Sequence, residues 1–220
     1  MQRNCFRWLA LALALAVASA PAARGQVGAP SVAPRITIGP FVGMNYTTVS
    51  GSDVDNTDSR WDFTIGGQLD VEFGGVGLFR TGLLYAGRGA EGTENGLTAE
   101  VKLRYLEVPL LLGYRFPTTG VRPYILGGAQ MGFKTGCTVK LSSGNLSASF
   151  DCDDPDADLG EFKSFDVAAV GGGGIAVPLG TNELTFDLRY ALGLTNIVKD
   201  AEAKNRGFTF GVGLAIPIAR

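Results

Sequence analysis

The sequence predicts an all-β protein, an eight-stranded antiparallel up-and-down transmembrane β-barrel. Three observations lead there. Apolar residues recur at every second position over stretches of ten or more residues, which is the period of a half-buried strand and not of a helix. The segments between these stretches alternate between short turns and longer polar loops, as in a barrel that crosses a membrane back and forth. Beyond the N-terminus no segment approaches the roughly 18 consecutive apolar residues of a spanning helix, so any crossing must be made by strands.

The chain has 220 residues, 45% of them hydrophobic and 18% charged. Residues 1–25 read as an export signal: Arg3 and Arg7 precede an apolar stretch from Trp8 to about Ala18, and Ala23-Arg24-Gly25 fits cleavage before Gln26. About a dozen apolar residues are too few for a membrane anchor. Residues 26–34 are expected to form a periplasmic N-terminal segment, and residues 35–220 the barrel. Removing the signal takes away three arginines and no acidic residue, which leaves an acidic protein from a chain with 19 basic and 21 acidic side chains. Such a balance excludes a nucleic-acid partner.

Eight strands are expected in order. The first, about 35–46, follows the alternation loosely. The second, 61–73, follows it clearly, with Phe63, Ile65, Leu69 and Val71 on one face and Asp62, Thr64, Gln68, Asp70 and Glu72 on the other. A turn at 74–76 leads into a third at about 77–88. In the fourth, about 100–116, the apolar phase moves from Val101, Leu103 and Tyr105 to Leu106, Val108, Leu110 and Leu112, which predicts a β-bulge near Tyr105 and Leu106. A turn at 117–121 precedes a fifth strand at about 122–137, and a sixth is expected at about 164–179. After a turn at 180–183, the seventh strand (184–194) and the eighth (208–218) alternate clearly, with bulky residues at even positions. The longer connections, 47–60, 89–99, 138–163 and 199–205, fall at the other end. A soluble barrel with the Leu and Phe face as its core is the alternative. Against it, the opposite face is rich in Gly and Ala, a poor solvated surface but a good lining for a crowded eight-stranded lumen. Tyr46, Trp61, Phe73, Tyr114, Phe116, Tyr124 and Phe208 near strand ends would supply interfacial girdles.

Tyr105-Leu-Glu-Val-Pro-Leu-Leu-Leu-Gly-Tyr114, Arg122-Pro-Tyr124 leading to Gly127-Gly128, and Leu188-Arg-Tyr190 with Gly193-Leu-Thr-Asn-Ile197 resemble the small bacterial outer-membrane β-barrel family usually labelled porin family protein. The similarity spans about residues 35–220. It implies an eight-stranded barrel in a Gram-negative outer membrane, distantly like OmpX and the OmpA transmembrane domain, and it implies no catalytic residues.

The chain contains no histidine, which removes the commonest general base and metal ligand. Asp187 with Arg189, and Glu107 with Arg104, read as ion pairs filling a lumen and not as acid–base pairs. Gly171-Gly-Gly-Gly174 lacks the Lys-Ser/Thr of a phosphate loop. In the register set by the 74–76 turn, Asp70 falls opposite Arg80, and Glu107 is expected on the other side of Arg80. Lys102, Arg104, Arg115, Lys134, Asp166, Asp187 and Arg189 are expected to fill the rest of the lumen. Cys137 and Cys152, the two cysteines outside the signal, are expected to form a disulfide in an oxidising export route. The segment 138–163 carries Asp151, Asp153, Asp154, Asp156, Asp158 and Glu161. Its first reading is a solvated acidic loop. Its second is a weak calcium site at Asp154, Asp156 and Asp158, whose alternate spacing follows calcium loops without their Gly and terminal Glu. Asp53, Asp55 and Asp58 add to an acidic rim able to share divalent ions with lipopolysaccharide. No other cofactor is expected.

The functional expectation is therefore a non-enzymatic, integral outer-membrane barrel with a structural or surface-interaction role and a closed lumen, its long loops extracellular and its termini periplasmic. A narrow diffusion channel is second, and a lipid-modifying enzyme third. The expected partners are outer-membrane lipid, lipopolysaccharide and the export and barrel-assembly machinery, with the barrel itself a monomer.

Overall fold

The computed structural model describes residues 34–52, 57–94, 96–144, 146–152, 162–199 and 202–219. The expected signal at 1–25, all but the last residue of the 26–34 segment, and Asp154, Asp156 and Asp158 lie outside them.

Among the described residues nine strands form: β1 (Arg35–Ser50), β2 (Asp58–Phe73), β3 (Gly77–Glu94), β4 (Leu97–Arg115), β5 (Arg122–Ser143), β6 (Leu146–Asp151), β7 (Phe165–Leu179), β8 (Asn182–Gly193) and β9 (Lys204–Ala219). All pairings are antiparallel, and the sheet closes on itself because β1 pairs with both β2 and β9 while β4 pairs with β5. β6 is not a stave. It is a short return strand in the third loop, paired with Thr138–Ser143 of β5, and β5 meets β7 directly below it. Eight strands make the ring, so the expected barrel is present with one additional strand.

Short turns gather at one end, where Gly74 and Gly75 take φ of 58° and 78°, angles open to glycine without strain. The first and last strands meet at this turn end, where Ile36 pairs with Ala219. At the loop end the strands run farther than hydrophobic periodicity indicates. Residues 89–94 and 97–99, read as loop from sequence, are paired strand, with Thr93 facing Thr98 and their hydroxyls 3.0 Å apart. The cause is environmental. Beyond the apolar band the outward face needs no apolar residues, so the period in hydropathy ends while backbone pairing continues.

The bulge forms at the expected height, but on the neighbouring strand. Arg104 pairs with Gly136 and Tyr105 with Lys134, so the extra residue is Thr135 of β5. β4 itself keeps one phase, with Leu103, Tyr105, Glu107 and Leu111 all buried. Its change of apolar phase reflects a change in the lining, from apolar near the loops to charged lower down. A second bulge lies in β2 between Ser59 and Thr64.

The outward face carries two aromatic belts. Tyr46, Trp61, Phe63, Tyr85, Phe133, Phe165, Tyr190 and Phe208 are exposed toward the loop end, and Phe73, Tyr114 and Phe116 toward the turn end. Neighbours touch, with ring centroids 4.8 Å apart for Tyr46 and Trp61, and 5.1 Å for Tyr114 and Phe116. From Trp61 to Phe73, a rise of about 3.4 Å per residue at a tilt of about 40° gives a band roughly 30 Å tall, the thickness of a hydrocarbon core. Tyr124, expected in a girdle, instead points inward and is buried, because even positions of β5 face the lumen up to the bulge.

Candidate functional site

The interior is the candidate site, because Asp70, Arg80, Arg88, Glu107, Arg115, Asp166, Glu183, Asp187 and Arg189, all buried, are held there. Glycines make the room. A side chain at Gly211 would strike the ring of Phe41, and one at Gly174 would meet the Tyr124 ring and the Phe186 carbonyl, so these aromatics pack flat against opposing backbone. Within the Gly171–Gly174 run, Gly172 and Gly174 abut β8 backbone and Gly173 abuts the Tyr124 carbonyl of β5, while nothing lies within 4 Å of a Cβ built at Gly171.

Charges fill the remaining space in three tiers. At the turn end, Glu72 and Glu183 sit among three arginines. Arg115 Nη1 donates to Glu72 Oε1 at 2.8 Å and to Glu183 Oε2 at 2.9 Å. Arg35 reaches Glu183 at 2.9 Å, and Arg122 pairs with Glu183 and reaches Glu72 at 3.2 Å. In the middle tier Arg80 grips Asp70 with Nε and Nη2, both at 2.7 Å, and donates from Nη1 to Asp187 at 2.6 Å. This two-pronged geometry matches the planar guanidinium to the planar carboxylate. The Arg80 guanidinium also lies 4.9 Å from the centre of the Tyr124 ring. Arg189 donates to Gln68 Oε1 at 2.7 Å, approaches Asp187 at 3.3 Å and stacks 4.8 Å from the Phe41 ring centre. In the third tier Arg88 pairs with Glu107, and Asp166 accepts from Asn205 Nδ2 at 3.0 Å and from the Thr195 hydroxyl.

Above these tiers the lining turns apolar. Val49, Ala90, Leu103, Tyr105, Cys137, Val139, Cys152, Ile197 and Ala203 form one buried cluster that caps the lumen. Cys137 and Cys152 are joined within it as a disulfide, with Cα atoms 5.3 Å apart. Between the cap and the third tier a cavity of about 10 Å³ is lined by Arg88, Tyr105, Glu107, Gln130, Asp166 and Asn205, which is room for about one water.

The structure brings together Asp70 and Arg80 in register, and adds Asp187 and Arg189 from across the barrel. Glu107 does not flank Arg80. It lies opposite Leu84 and serves Arg88, whereas Arg80 is opposite Leu111. The register of β3 against β4 runs four residues farther than the sequence argument assumed. Lys102 and Arg104 are not in the lumen, since even positions of β4 face outward. Arg115, Asp166, Asp187 and Arg189 are inside, and Lys134, at the bulge, donates to the Phe162 carbonyl at 3.2 Å. Sequence reasoning left out Arg35, Glu72, Arg88, Arg122 and Glu183 as network members; the first four have the inward parity of strands already recognised, whereas Glu183 was read as part of the 180–183 turn and lies in β8.

Chemically, six arginines (35, 80, 88, 115, 122, 189) face six carboxylates (70, 72, 107, 166, 183, 187), which balances the interior. Among the described residues no group of three or more candidate ligands is placed to hold a metal ion.

A family model described as outer membrane protein beta-barrel domain matches residues 25–199. No curated protein matches the chain. Among solved structures it is similar to Neisserial surface protein A, at 12% identity over 84% of this chain and 98% of that one, with a TM-score of 0.47. Ail, the attachment invasion locus protein of Yersinia pestis, solved with a heparin analogue, is 17% identical over 83% and 97%, TM-score 0.39. The N-terminal β-barrel domain of Pseudomonas aeruginosa OprF is 14% identical over 81% and 97%, TM-score 0.34.

Proposed function

This chain belongs to the outer membrane protein β-barrel domain family, and from that premise we propose that it is a closed, non-conducting structural barrel of the outer membrane. The observation that carries the proposal is the lumen: three tiers of paired charge beneath an apolar cap, with an interior cavity of about 10 Å³. An ion crossing it would have to displace several buried ion pairs at once, each costly to break. In this reading the loops face outside and both termini face the periplasm, supported by the meeting of β1 and β9 at the turn end. Residues 1–25 act as the export signal, and the assembly machinery inserts the barrel as a monomer surrounded by lipid and lipopolysaccharide. The protein is not an enzyme in this reading, since it has no histidine and its interior carboxylates are engaged by arginines or hydrogen-bond donors. The carboxylates of Asp154, Asp156 and Asp158 lie outside the described residues; in this reading they bind no ion, with weak calcium binding as the alternative. Calorimetry without saturable heat below millimolar calcium decides against the latter.

The test is single-channel recording on the folded protein in planar bilayers. The expected trace has no steady conductance. Regular, ion-selective openings would overturn the closed lumen in favour of a narrow diffusion channel.

A further inference from the structure

A second charged group lies on the outward face, just beyond the loop-end aromatic belt, where β2 bulges between Ser59 and Thr64. Asp62 accepts from Arg104 Nη1 at 2.7 Å and from Arg60 at 3.0 Å. Arg60 Nη2 also reaches Glu100 at 3.1 Å, and Lys102 holds the other Glu100 oxygen at 3.1 Å. The arrangement is built on glycine. A Cβ at Gly87 would collide with the Arg104 guanidinium and the Asp62 carboxylate, and one at Gly89 would lie 3.5 Å from Arg60 Cδ.

Three cations here hold two anions, and they are sorted by depth. The Asp62 side chain is 4% exposed, while those of Lys102 and Arg104 are 33% and 29% exposed. At the height of the belt the group therefore presents the Arg104 and Lys102 cations outward, while Glu91, opposite Glu100, and Asp58, opposite Glu91, lie farther toward the loops. Arg104 spends only Nη1 on Asp62, so among the described residues its Nε and Nη2 have no protein partner. Its guanidinium stacks on Phe63, 5.4 Å from the ring centre. Phe63 belongs to the belt that marks the edge of the apolar band, which puts the free donors at headgroup height. Beside it, Trp61 borders an apolar groove of about 660 Å³ lined by Val42, Met44, Phe186, Phe210 and Val212, a surface suited to acyl chain. An anionic headgroup above an apolar tail matches this order of surfaces.

We propose that Arg104 and Lys102, held by Asp62, Glu100 and Arg60 over Gly87, form a binding site for a phosphate of the lipid A headgroup of lipopolysaccharide. The proposal rests on the loop end facing the outer leaflet, where that lipid resides. A guanidinium with two parallel donors suits a phosphate better than a point charge does, and the bound lipid would tie the β2–β4 flank to the leaflet.

The test uses the folded full chain with Trp8→Phe, so that Trp61, next to the patch, is the single indole. Micelles are titrated with diphosphoryl lipid A, with the same lipid dephosphorylated, and with phosphatidylglycerol, while Trp61 emission is followed. Diphosphoryl lipid A is expected to give a saturable change that Arg104→Gln with Lys102→Gln weakens about thirtyfold, while Glu100→Gln, which removes an anion and releases Lys102, tightens it. An equal response to dephosphorylated lipid or to phosphatidylglycerol, unchanged affinity in the double variant, or no tightening with Glu100→Gln would each overturn the site. Because binding in micelles involves neither orientation nor conductance, a failure here leaves the closed-barrel reading standing, and steady conductance would leave this site standing.

Discussion

Removing the Arg80 side chain is the sharpest perturbation of the interior. Arg80 is fully buried and neutralises two carboxylates at once, Asp70 through two 2.7 Å bonds and Asp187 through one of 2.6 Å. Methionine keeps most of the length of the stem and removes the charge. Deleting one member of a buried ion pair typically costs about 3–5 kcal/mol, because the remaining charge stays desolvated. Here two partners are orphaned, but each retains a weaker contact: Arg115 lies 3.7 Å from Asp70 and Arg189 lies 3.3 Å from Asp187. The expected loss for Arg80→Met is therefore near the lower limit for a single orphaned charge, about 3 kcal/mol. Adding Asp70→Asn removes the less well compensated of the two carboxylates and should restore about half of it, a coupling readable only as a double-mutant cycle. Urea unfolding of the barrel in lipid vesicles, followed by Trp61 emission, measures both. A loss below about 1 kcal/mol, the range of a solvent-exposed pair, or a double variant no more stable than Arg80→Met, would refute the claim that paired charge fills the lumen.

Three further outcomes follow from the same geometry. Arg104→Leu changes unfolding stability by less than about 1 kcal/mol, because its pair with Asp62 is partly exposed; a loss comparable with Arg80→Met would mean that Arg104 faces inward. Cys152→Ser opens a closed loop of sequence separation 15, worth about 3 kcal/mol in the chain-entropy model, and is expected to speed proteolytic cutting between residues 138 and 163, with unaltered cutting rates as the refuting result. Gly172→Val drives a side chain into the Leu188 carbonyl and the Arg189 Cα, so it should abolish the heat-modifiable folded band on gels; a normal band would show that β7 and β8 do not approach as described.

How much of this was legible in the sequence depended on how local the cause was. Parity is local, so the inward faces of 61–73, 184–194 and 208–218 were readable apart from Asp62, which the β2 bulge turns outward, and with them Asp70, Asp187 and Arg189. The pairing of Asp70 with Arg80 was readable because a tight turn at Gly74 and Gly75 leaves little choice of register. Pairing across β3 and β4 was not, since the hairpin connecting them lies at Glu94–Leu97, far from Glu107, inside a stretch with no hydropathic period. Contacts across the lumen, such as Arg80 with Asp187, depend on how the whole barrel closes. No window of sequence contains that information. Lys102 and Arg104 were misplaced for a related reason: the inner lining changes from charged to apolar partway along β4, which mimics a change of face.

A barrel this narrow could have been filled with aliphatic side chains, and buried ion pairs are a poor source of net stability by comparison. What they provide is an asymmetry between registers. A slip of one residue in any pair of staves turns interior arginines toward lipid, at roughly 2–4 kcal/mol each near the midplane. A slip of two keeps the faces but sets Asp70 opposite Leu78 or Gly82 in place of Arg80, leaving a carboxylate and a guanidinium unpaired in a lumen with little free space. Aliphatic residues would penalise neither error strongly, since an aliphatic side chain turned toward lipid meets an apolar phase again, and after a slip of two one Leu replaces another at nearly the same contact. Six arginines and six carboxylates on seven of the eight staves therefore make the correct register the one in which each of these side chains has a partner. On this argument the network's contribution should appear in the yield of correctly folded barrel more than in its resistance to urea. Replacing the Arg80, Asp70 and Asp187 group together by Met, Leu and Leu tests it: equilibrium stability should fall little, while folding yield drops and misregistered, protease-sensitive species accumulate. A triple variant that folds with undiminished yield would show that glycine and aromatic packing alone set the register.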